Sequence, residues 1–142
     1  MIFTELKTDE FYSTFDLLKA SKLDSSDLDQ PNIRLFCLKE NDKLKGVGGL
    51  EVIGSVALLR SVAVDTAYQK QGLGVLLVSH IEKAAKELGL SALYLLTNTA
   101  ADFFKAQNYQ VILRDNFAEP LKQTAQFSGL CPVSAVCMKK EI

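Results

Sequence analysis

Basic residues are not in excess: 16 Lys and Arg stand against 17 Asp and Glu, a formal net charge of −1 at pH 7. A nucleic-acid or polyanion binder carries a basic patch and a high pI, and the sequence pI here is about 5.8. Neither nucleic acid nor another polyanion is therefore expected as a partner. Long apolar runs are lacking too. None approaches the ~20 residues a membrane helix needs, so no membrane association is expected. Cysteine is scarce and odd in number, and Cys37, Cys131 and Cys137 have no metal-type spacing. No metal is expected, and a reducing cytosol is the simplest setting. The start, Met1-Ile2-Phe3-Thr4-Glu5, lacks a basic region followed by an apolar core, so no leader and a cytoplasmic location are expected. Repeats, low-complexity tracts and linkers are absent from the pattern. One domain over residues 1–142 is expected, with 48% apolar and 23% charged residues, the balance of a soluble globular chain.

The periodicities set an element order. Residues 2–6 read as a short strand. Residues 9–20 carry Phe11, Phe15, Leu17 and Leu18 at helical spacing, with Thr8 or Asp9 as cap. Ser25, Ser26 and Asp27 suit the start of a second short helix that stops before Pro31. Three strands follow over residues 33–38, 45–52 and 55–64, with a turn at Glu40-Asn41-Asp42. Gly46, Gly48 and Gly49 lie opposite the long third strand, where a bulge or a close contact is expected. Residues 74–88 form an amphipathic helix stopped by Gly89. Residues 92–96 form a continuous apolar strand, as in a sheet covered on both faces. A short helix over 99–106 precedes a left-handed turn at Asn108 and a strand over 109–113. A helix over 119–127 and a closing strand over 134–139 complete an α/β (α+β) domain with a mixed, mostly antiparallel sheet flanked by helices.

The densest chemical signal is Val62-Ala63-Val64-Asp65-Thr66-Ala67-Tyr68-Gln69-Lys70-Gln71-Gly72-Leu73-Gly74. An apolar β-branched strand ends in a polar loop, and two glycines sit where the long helix begins. Glycine lets a ligand approach the backbone. The first N–H groups of a helix have no internal acceptor and favour anions. The segment reads as strand, phosphate-binding loop and helix, with a plain tight turn as the alternative. A third glycine at the dinucleotide-binding position and a Lys-Ser/Thr pair are both missing, so neither nucleotide fingerprint applies.

What remains, Gln69-x-x-Gly72-x-Gly74 after Val-Ala-Val, resembles the acyl-CoA signature of the Gcn5-related N-acetyltransferase (GNAT) family. Leu58 to Val64, Tyr68 and the element order resemble that family as well, over nearly the whole chain. The resemblance implies acetyl-CoA as co-substrate and transfer of acetyl to a primary amine by direct attack. It implies that backbone groups of Val62, Ala63 and Val64 pair with the pantetheine arm like an added strand. A backbone donor at Val62 would polarise the acetyl carbonyl. Gln69, Lys70, Gln71, Gly72, Leu73, Gly74 and Val75 would cradle the pyrophosphate, mostly through N–H groups. Two family positions depart from the pattern. Thr97, with Asn98 beside it, stands where an asparagine is usual, and Phe104 where a tyrosine protonates the leaving thiolate. Phe104 would pack on the pantetheine, and Thr97 or Asn98 would hydrogen-bond its amide. The thiolate would leave unaided or take a proton from water.

The amine must lose a proton before it attacks. A strand glutamate that serves this purpose in some relatives is replaced by Leu58. Strand alternation places Leu58, Arg60, Val62 and Val64 on one face, which aims Arg60 into the cleft. Three readings stand for Arg60: a structural pair with Glu51 on the neighbouring strand, a grip on an acid group of the acceptor, or an exposed place at a rim. In the second, Glu51 is a candidate base or amine holder. His80, the only histidine, reads as structural, as do Tyr12, Tyr94 and the cysteines. The stretch from Pro120 to Met138 resembles the tail of acetyltransferases found with arsenic-resistance genes. That resemblance implies an amino acid-like acceptor of the arsinothricin or phosphinothricin class. Polyamine, aminoglycoside or protein amines remain as alternative acceptors, and a non-catalytic acyl-CoA sensor as an alternative function. The family is often dimeric, so a homodimer is a candidate assembly.

Overall fold

The computed structural model describes residues 1–7, 16, 18–20, 28, 30–69, 71–130 and 134–142. Strands β1 (Ile2–Glu5), β2 (Ile33–Glu40), β3 (Lys43–Ile53) and β4 (Val56–Val64) form an antiparallel meander. Helix α1 (Leu73–Glu87) crosses over to β5 (Ala92–Thr97), which runs parallel to β4. Helix α2 (Ala101–Ala106) leads to β6 (Gln110–Ile112). Strand β7 (Val136–Glu141) then inserts between β5 and β6, antiparallel to both. The sheet order is β1-β2-β3-β4-β5-β7-β6, the mixed and mostly antiparallel sheet expected.

Local chemistry explains the punctuation. Asn41 and Asp42 join β2 to β3 with φ of 51° and 63°, the left-handed pair a tight hairpin turn favours. At the end of α1, Gly89 takes φ 83°. Its N–H donates to Lys86 O (3.0 Å), and the Leu90 N–H donates to Ala85 O (3.1 Å). These two bonds satisfy carbonyls that a helix end leaves open. Asn108 stops α2 with φ 71°, as expected.

One face of α1, formed by Leu73, Leu77, Val78, Ile81 and Ala85, is buried. It joins Leu50, Leu59, Leu93, Leu95 and Met138 in the main core. The helix lies almost on the backbone of β3. A Cβ on Gly48 would come within 2.5 Å of Ile81 Cδ1. The opposite face carries two smaller clusters, one around Leu35, Cys37, Val47 and Ala63, the other around Leu58, Tyr94, Phe117 and Leu121.

Two expectations change. The helix expected over 119–127 is a 3-10 turn (Glu119–Gln123) followed by a π-helical turn (Gln126–Leu130). Thr124, with ψ 150°, separates them. Its hydroxyl donates to Leu121 O (2.7 Å) and accepts from the Phe127 N–H (3.3 Å), and so competes for backbone groups. The closing strand starts two positions later than expected, at Val136. Of the expected helix over 9–20, residue 16 and residues 18–20 are helical; its cap at Thr8 or Asp9, and the helix start at Ser25, Ser26 and Asp27, lie outside the described residues.

A polar clamp ties α1 to the far edge of the sheet. Tyr109 Oη donates to Glu82 Oε2 (2.8 Å), and Lys140 Nζ donates to both Glu82 oxygens (3.1 and 3.0 Å). Burial, reinforced by the Glu82 carboxylate, holds the Tyr109 phenol far above its ordinary value. A phenol raised in the folded state keeps its proton where the unfolded chain has lost it. Its contribution is therefore complete below about pH 10 and is lost as pH rises further. In urea unfolding, the wild-type midpoint falls between about pH 9 and 11, and Tyr109→Phe makes that fall smaller. At neutral pH the same variant loses about 1 kcal/mol. An identical alkaline slope in both proteins would rule out the clamp as its source.

Candidate active site

Strands β4 and β5 pair only at Val56–Ala92, Ala57–Leu93 and Leu58–Tyr94. Beyond Leu58, β4 runs on to Val64 without a partner on β5, while β5 stays paired along its length with β7, on its other side. The two strands part, and the β5-facing edge of β4 opens. Such an edge presents backbone N–H and C=O groups to which an extended ligand adds like a strand.

On its other side β4 is bulged. Val47 pairs with Ala63 and Gly49 with Arg60, so Ser61 and Val62 stand against Gly48 alone. Ser61 takes φ 58°, a conformation costing a non-glycine residue on the order of 1 kcal/mol or more. The extra residue breaks the alternation. Leu58 and Arg60 stay on the face of Glu51. Val62 and Val64 turn to the α1 face, where their Cγ2 atoms lie 3.5 and 3.7 Å from the Cβ positions of Gly48 and Gly46. The expectation that Leu58, Arg60, Val62 and Val64 share one face thus fails after Arg60. Ala63 takes the place next in line and joins the Leu35 and Val47 cluster.

Arg60 Nη1 donates to Glu51 Oε1 at 3.1 Å, and its Nε donates to Ser61 Oγ at 3.2 Å. The two charged side chains are 2% and 8% exposed. Burying an ion costs several kcal/mol unless it is paired and hydrogen-bonded, and the pair supplies that. Of the three readings of Arg60, the pair with Glu51 is formed, and burial of the side chain is contrary to the exposed rim position. It lies beside the last β4–β5 rung, and the same guanidinium holds the strained Ser61.

The loop after β4 is built to end in an open helix terminus. Asp65 Oδ1 accepts from the Ala67 N–H (3.0 Å) and opens a 3-10 turn, Thr66–Tyr68. Gln69 Nε2 donates back to Val64 O (3.0 Å). Lys45 Nζ sits 4.0 Å over the Tyr68 ring and 2.9 Å from Glu40 Oε1. Gly72 caps α1 with φ 77° and offers no side chain to the helix. The Leu76 N–H donates to Gly72 O (3.2 Å). The preceding N–H groups, on Leu73, Gly74 and Val75, have no acceptor within the helix. The first turn adds only apolar residues and glycine. The positive end of the dipole is left without a counter-charge of its own, which suits a phosphate. Gln71 is exposed beside it, and Lys70 lies outside the described residues.

Thr97 Oγ1 accepts from the Ala100 N–H (3.0 Å) and so closes the turn that leads into α2, with Asn98 exposed next to it. Phe104 packs inward. It is 7% exposed in the main core, edge-on to Phe103 and Tyr109 at 5.0 and 5.5 Å. Its neighbour Phe103, which the motif did not single out, is the ring that meets α1 at Gly74. His80 stacks on Phe3 at 4.8 Å, the structural role expected. Burial raises the Cys137 thiol, against the pull of Arg114, which makes it a poor nucleophile. Tyr12 and Cys131 lie outside the described residues. Among the described residues, no group of three or more His, Cys, Asp or Glu is placed to hold a metal, and no helix is long and apolar enough to cross a membrane.

Comparison with known proteins points one way. The model of the acetyltransferase (GNAT) family matches residues 2–109. The chain is 30% identical over 94 residues to the uncharacterized protein YyaT of Bacillus subtilis (strain 168), covering 66% of this chain and 64% of that protein. It is 29% identical over 98 residues to the uncharacterized N-acetyltransferase YedL of Escherichia coli (strain K12), covering 68% and 60%. The match thus spans less than two thirds of either relative. Among solved structures, N-acetylglutamate synthase from Neisseria gonorrhoeae, complexed with coenzyme A and N-acetyl-glutamate, superposes with a TM-score of 0.82 at 16% identity. That match covers 99% of this chain and 35% of the synthase chain. The ribosomal-protein-S18-alanine N-acetyltransferase from Escherichia coli gives 0.77 at 19% identity, covering 99% and 93%. At these identities the likeness is one of fold.

The buried pair yields a stability test. Removing one partner strands a charge and costs about 3–5 kcal/mol, whereas replacing both with apolar residues is often near neutral. Glu51→Leu and Arg60→Met each lower the urea midpoint sharply, and the double variant recovers most of the loss. Additive losses in the double variant would mean that the two charges are not coupled.

Proposed function

We propose that this chain, which belongs to the acetyltransferase (GNAT) family, is a cytoplasmic N-acetyltransferase that moves the acetyl group of acetyl-CoA to the primary amine of a small amino acid-like acceptor. The observation that carries the reading is the union of two features. The edge of β4 opened beyond Leu58 leads straight to the uncapped N-terminus of α1. The first suits an extended amide-bearing arm, the second a pyrophosphate.

Acetyl-CoA supplies the acetyl group as an activated thioester. Backbone groups of Val62, Ala63 and Val64 hold its arm, with a donor at Val62 aimed at the thioester oxygen. Gly72, Leu73, Gly74 and Val75 face the phosphates, flanked by Gln69, Lys70 and Gln71. Thr97 and Asn98 stand across the gap. The neutral amine nitrogen would form the new bond to carbon as the carbon–sulfur bond breaks, and CoA would leave as a thiolate that takes a proton from water. The amine proton passes to Glu51 or to water.

The finer reading concerns the acceptor. Arg60 offers a planar fork for an acid group, and an acceptor acid would replace part of Glu51's hold on it, freeing Glu51 to meet the amine. N-acetylglutamate synthase, in its complex with N-acetyl-glutamate, supports an acidic amino acid acceptor on this fold. The resemblance of the Pro120 to Met138 stretch to arsenic-resistance enzymes supports an arsinothricin- or phosphinothricin-like acid. A second reading, an acyl-CoA sensor, is favoured by the burial of Phe104 and by the engagement of Glu51 with Arg60. Assembly as a homodimer, frequent among similar enzymes, is read by sedimentation of the same preparation.

The test is thiol release from acetyl-CoA with a panel of amino acids, phosphinothricin- and arsinothricin-like acids, polyamines and aminoglycosides. An acidic amino acid is turned over. Arg60→Lys raises its KM about tenfold, roughly 1.4 kcal/mol, a larger change than in the KM for acetyl-CoA. Turnover of polyamines or aminoglycosides alone would keep the reaction and overturn the role of Arg60. CoA binding without turnover of any amine would favour the sensor.

A further inference from the structure

The two glycines of the phosphate loop are glycine for different reasons. At Gly72 the cause is the backbone. Its φ is 77°, and among the described residues nothing lies within 4 Å of where a Cβ would sit. At Gly74 the cause is a neighbour. A Cβ there would lie 3.2 Å from both Cε1 and Cζ of Phe103, and 4.0 Å from Val64 Cγ2. Carbon atoms prefer about 3.5–4.0 Å, so the ring already occupies the space an alanine methyl would need.

Phe103 is itself braced. It meets Phe104 edge-on at 5.0 Å and 83°, and Phe104 meets Tyr109 edge-on at 5.5 Å and 74°. The Tyr109 hydroxyl is fixed by Glu82, which Lys140 holds from β7. Glu82 belongs to α1, and so does Gly74. The contacts therefore close a circuit that leaves α1 at Glu82, passes through three rings set edge-on to one another, and returns to α1 in its first turn. The phosphate-facing N–H groups on that turn are spaced by a wedge that the middle of the same helix steadies.

We propose that Phe103 is a positioning residue for the phosphate-binding turn, and that Gly74 is small because this ring stands against it rather than because a ligand does. The proposal rests on the acyl-CoA reading above. Phe103 would touch no reacting atom. Its substitution would act on acetyl-CoA affinity and leave the chemical step alone.

The test is a double-mutant cycle on the full chain, read by calorimetric titration with CoA, by KM and kcat for acetyl-CoA, and by thermal midpoint. Gly74→Ala weakens CoA binding about tenfold or more, roughly 1.4 kcal/mol. Phe103→Leu alone raises the KM for acetyl-CoA about threefold with kcat within twofold, a split that a purely structural loss would not give. In the double variant the smaller side chain makes room for the methyl. Its CoA affinity and its midpoint both return toward those of Phe103→Leu, so the two changes are non-additive. A double variant no better than Gly74→Ala in either respect would overturn the proposal and return the space at Gly74 to the ligand. If Gly74→Ala does not fold, an unchanged KM in Phe103→Leu overturns it alone. A wild-type chain that binds no CoA would overturn the acyl-CoA reading, an outcome seen before any variant is compared.

Discussion

Three rungs hold β4 to β5, and the site depends on the ladder stopping at the third. Parallel strands joined through a helix usually continue to pair along their length. Here β5 is claimed on its other side by β7 while β4 bends away at the Ser61 bulge. The result is a wedge-shaped gap in an otherwise continuous sheet, with α1 entering at its open end. Every backbone group left unpaired along that gap must find a partner in water or in a ligand. A fold that gives up ladder bonds in its centre has a binding surface of defined spacing as the direct result.

Two buried polar networks hold that geometry, one on each face of the sheet. On one face, Arg60 bridges Glu51 and Ser61 and keeps the bulge in a backbone conformation serine does not favour by itself. On the other, Glu82 gathers Tyr109 and Lys140 and fixes α1 against the last strands. Neither network is an efficient source of stability, because desolvation offsets much of what pairing returns. Their value lies in direction. An apolar replacement of the same volume fills the space, but it does not dictate where a strand bends or how far a helix stands from its neighbour.

Much of the fold was legible because its signals are local. The two-residue turn at Asn41 and Asp42, the glycine stop of α1 and the left-handed Asn108 all declare themselves through residue types suited to unusual backbone angles. So does the change from strand to helical period across Gly72. The bulge was only half legible. Gly46 and Gly48 signalled a close approach, but the strained residue is a serine inside a regular apolar alternation, and nothing in Leu59-Arg60-Ser61-Val62 marks it. The adjacent rings of α2 posed a similar problem. Whether Phe103 or Phe104 faces the core depends on how a six-residue helix rotates against Tyr109, a tertiary choice its own sequence does not make. Thr124 broke an expected helix for the same reason, since its hydroxyl finds backbone partners only once the chain has turned.

The late arrival of β7 has a consequence for biosynthesis. Strands β5 and β6 both precede it in the chain, yet both take their antiparallel partner from it, with Leu96 and Ile112 sharing Cys137 across the two interfaces. A ribosome releases the chain from its N-terminal side. For the whole interval in which residues 113–135 emerge, Ala92–Thr97 is an apolar strand with one open edge, a template for pairing with any neighbouring chain. A strand buried in the finished molecule is thus open to aggregation while the molecule is being made, and its safety is a matter of timing before it is one of energy.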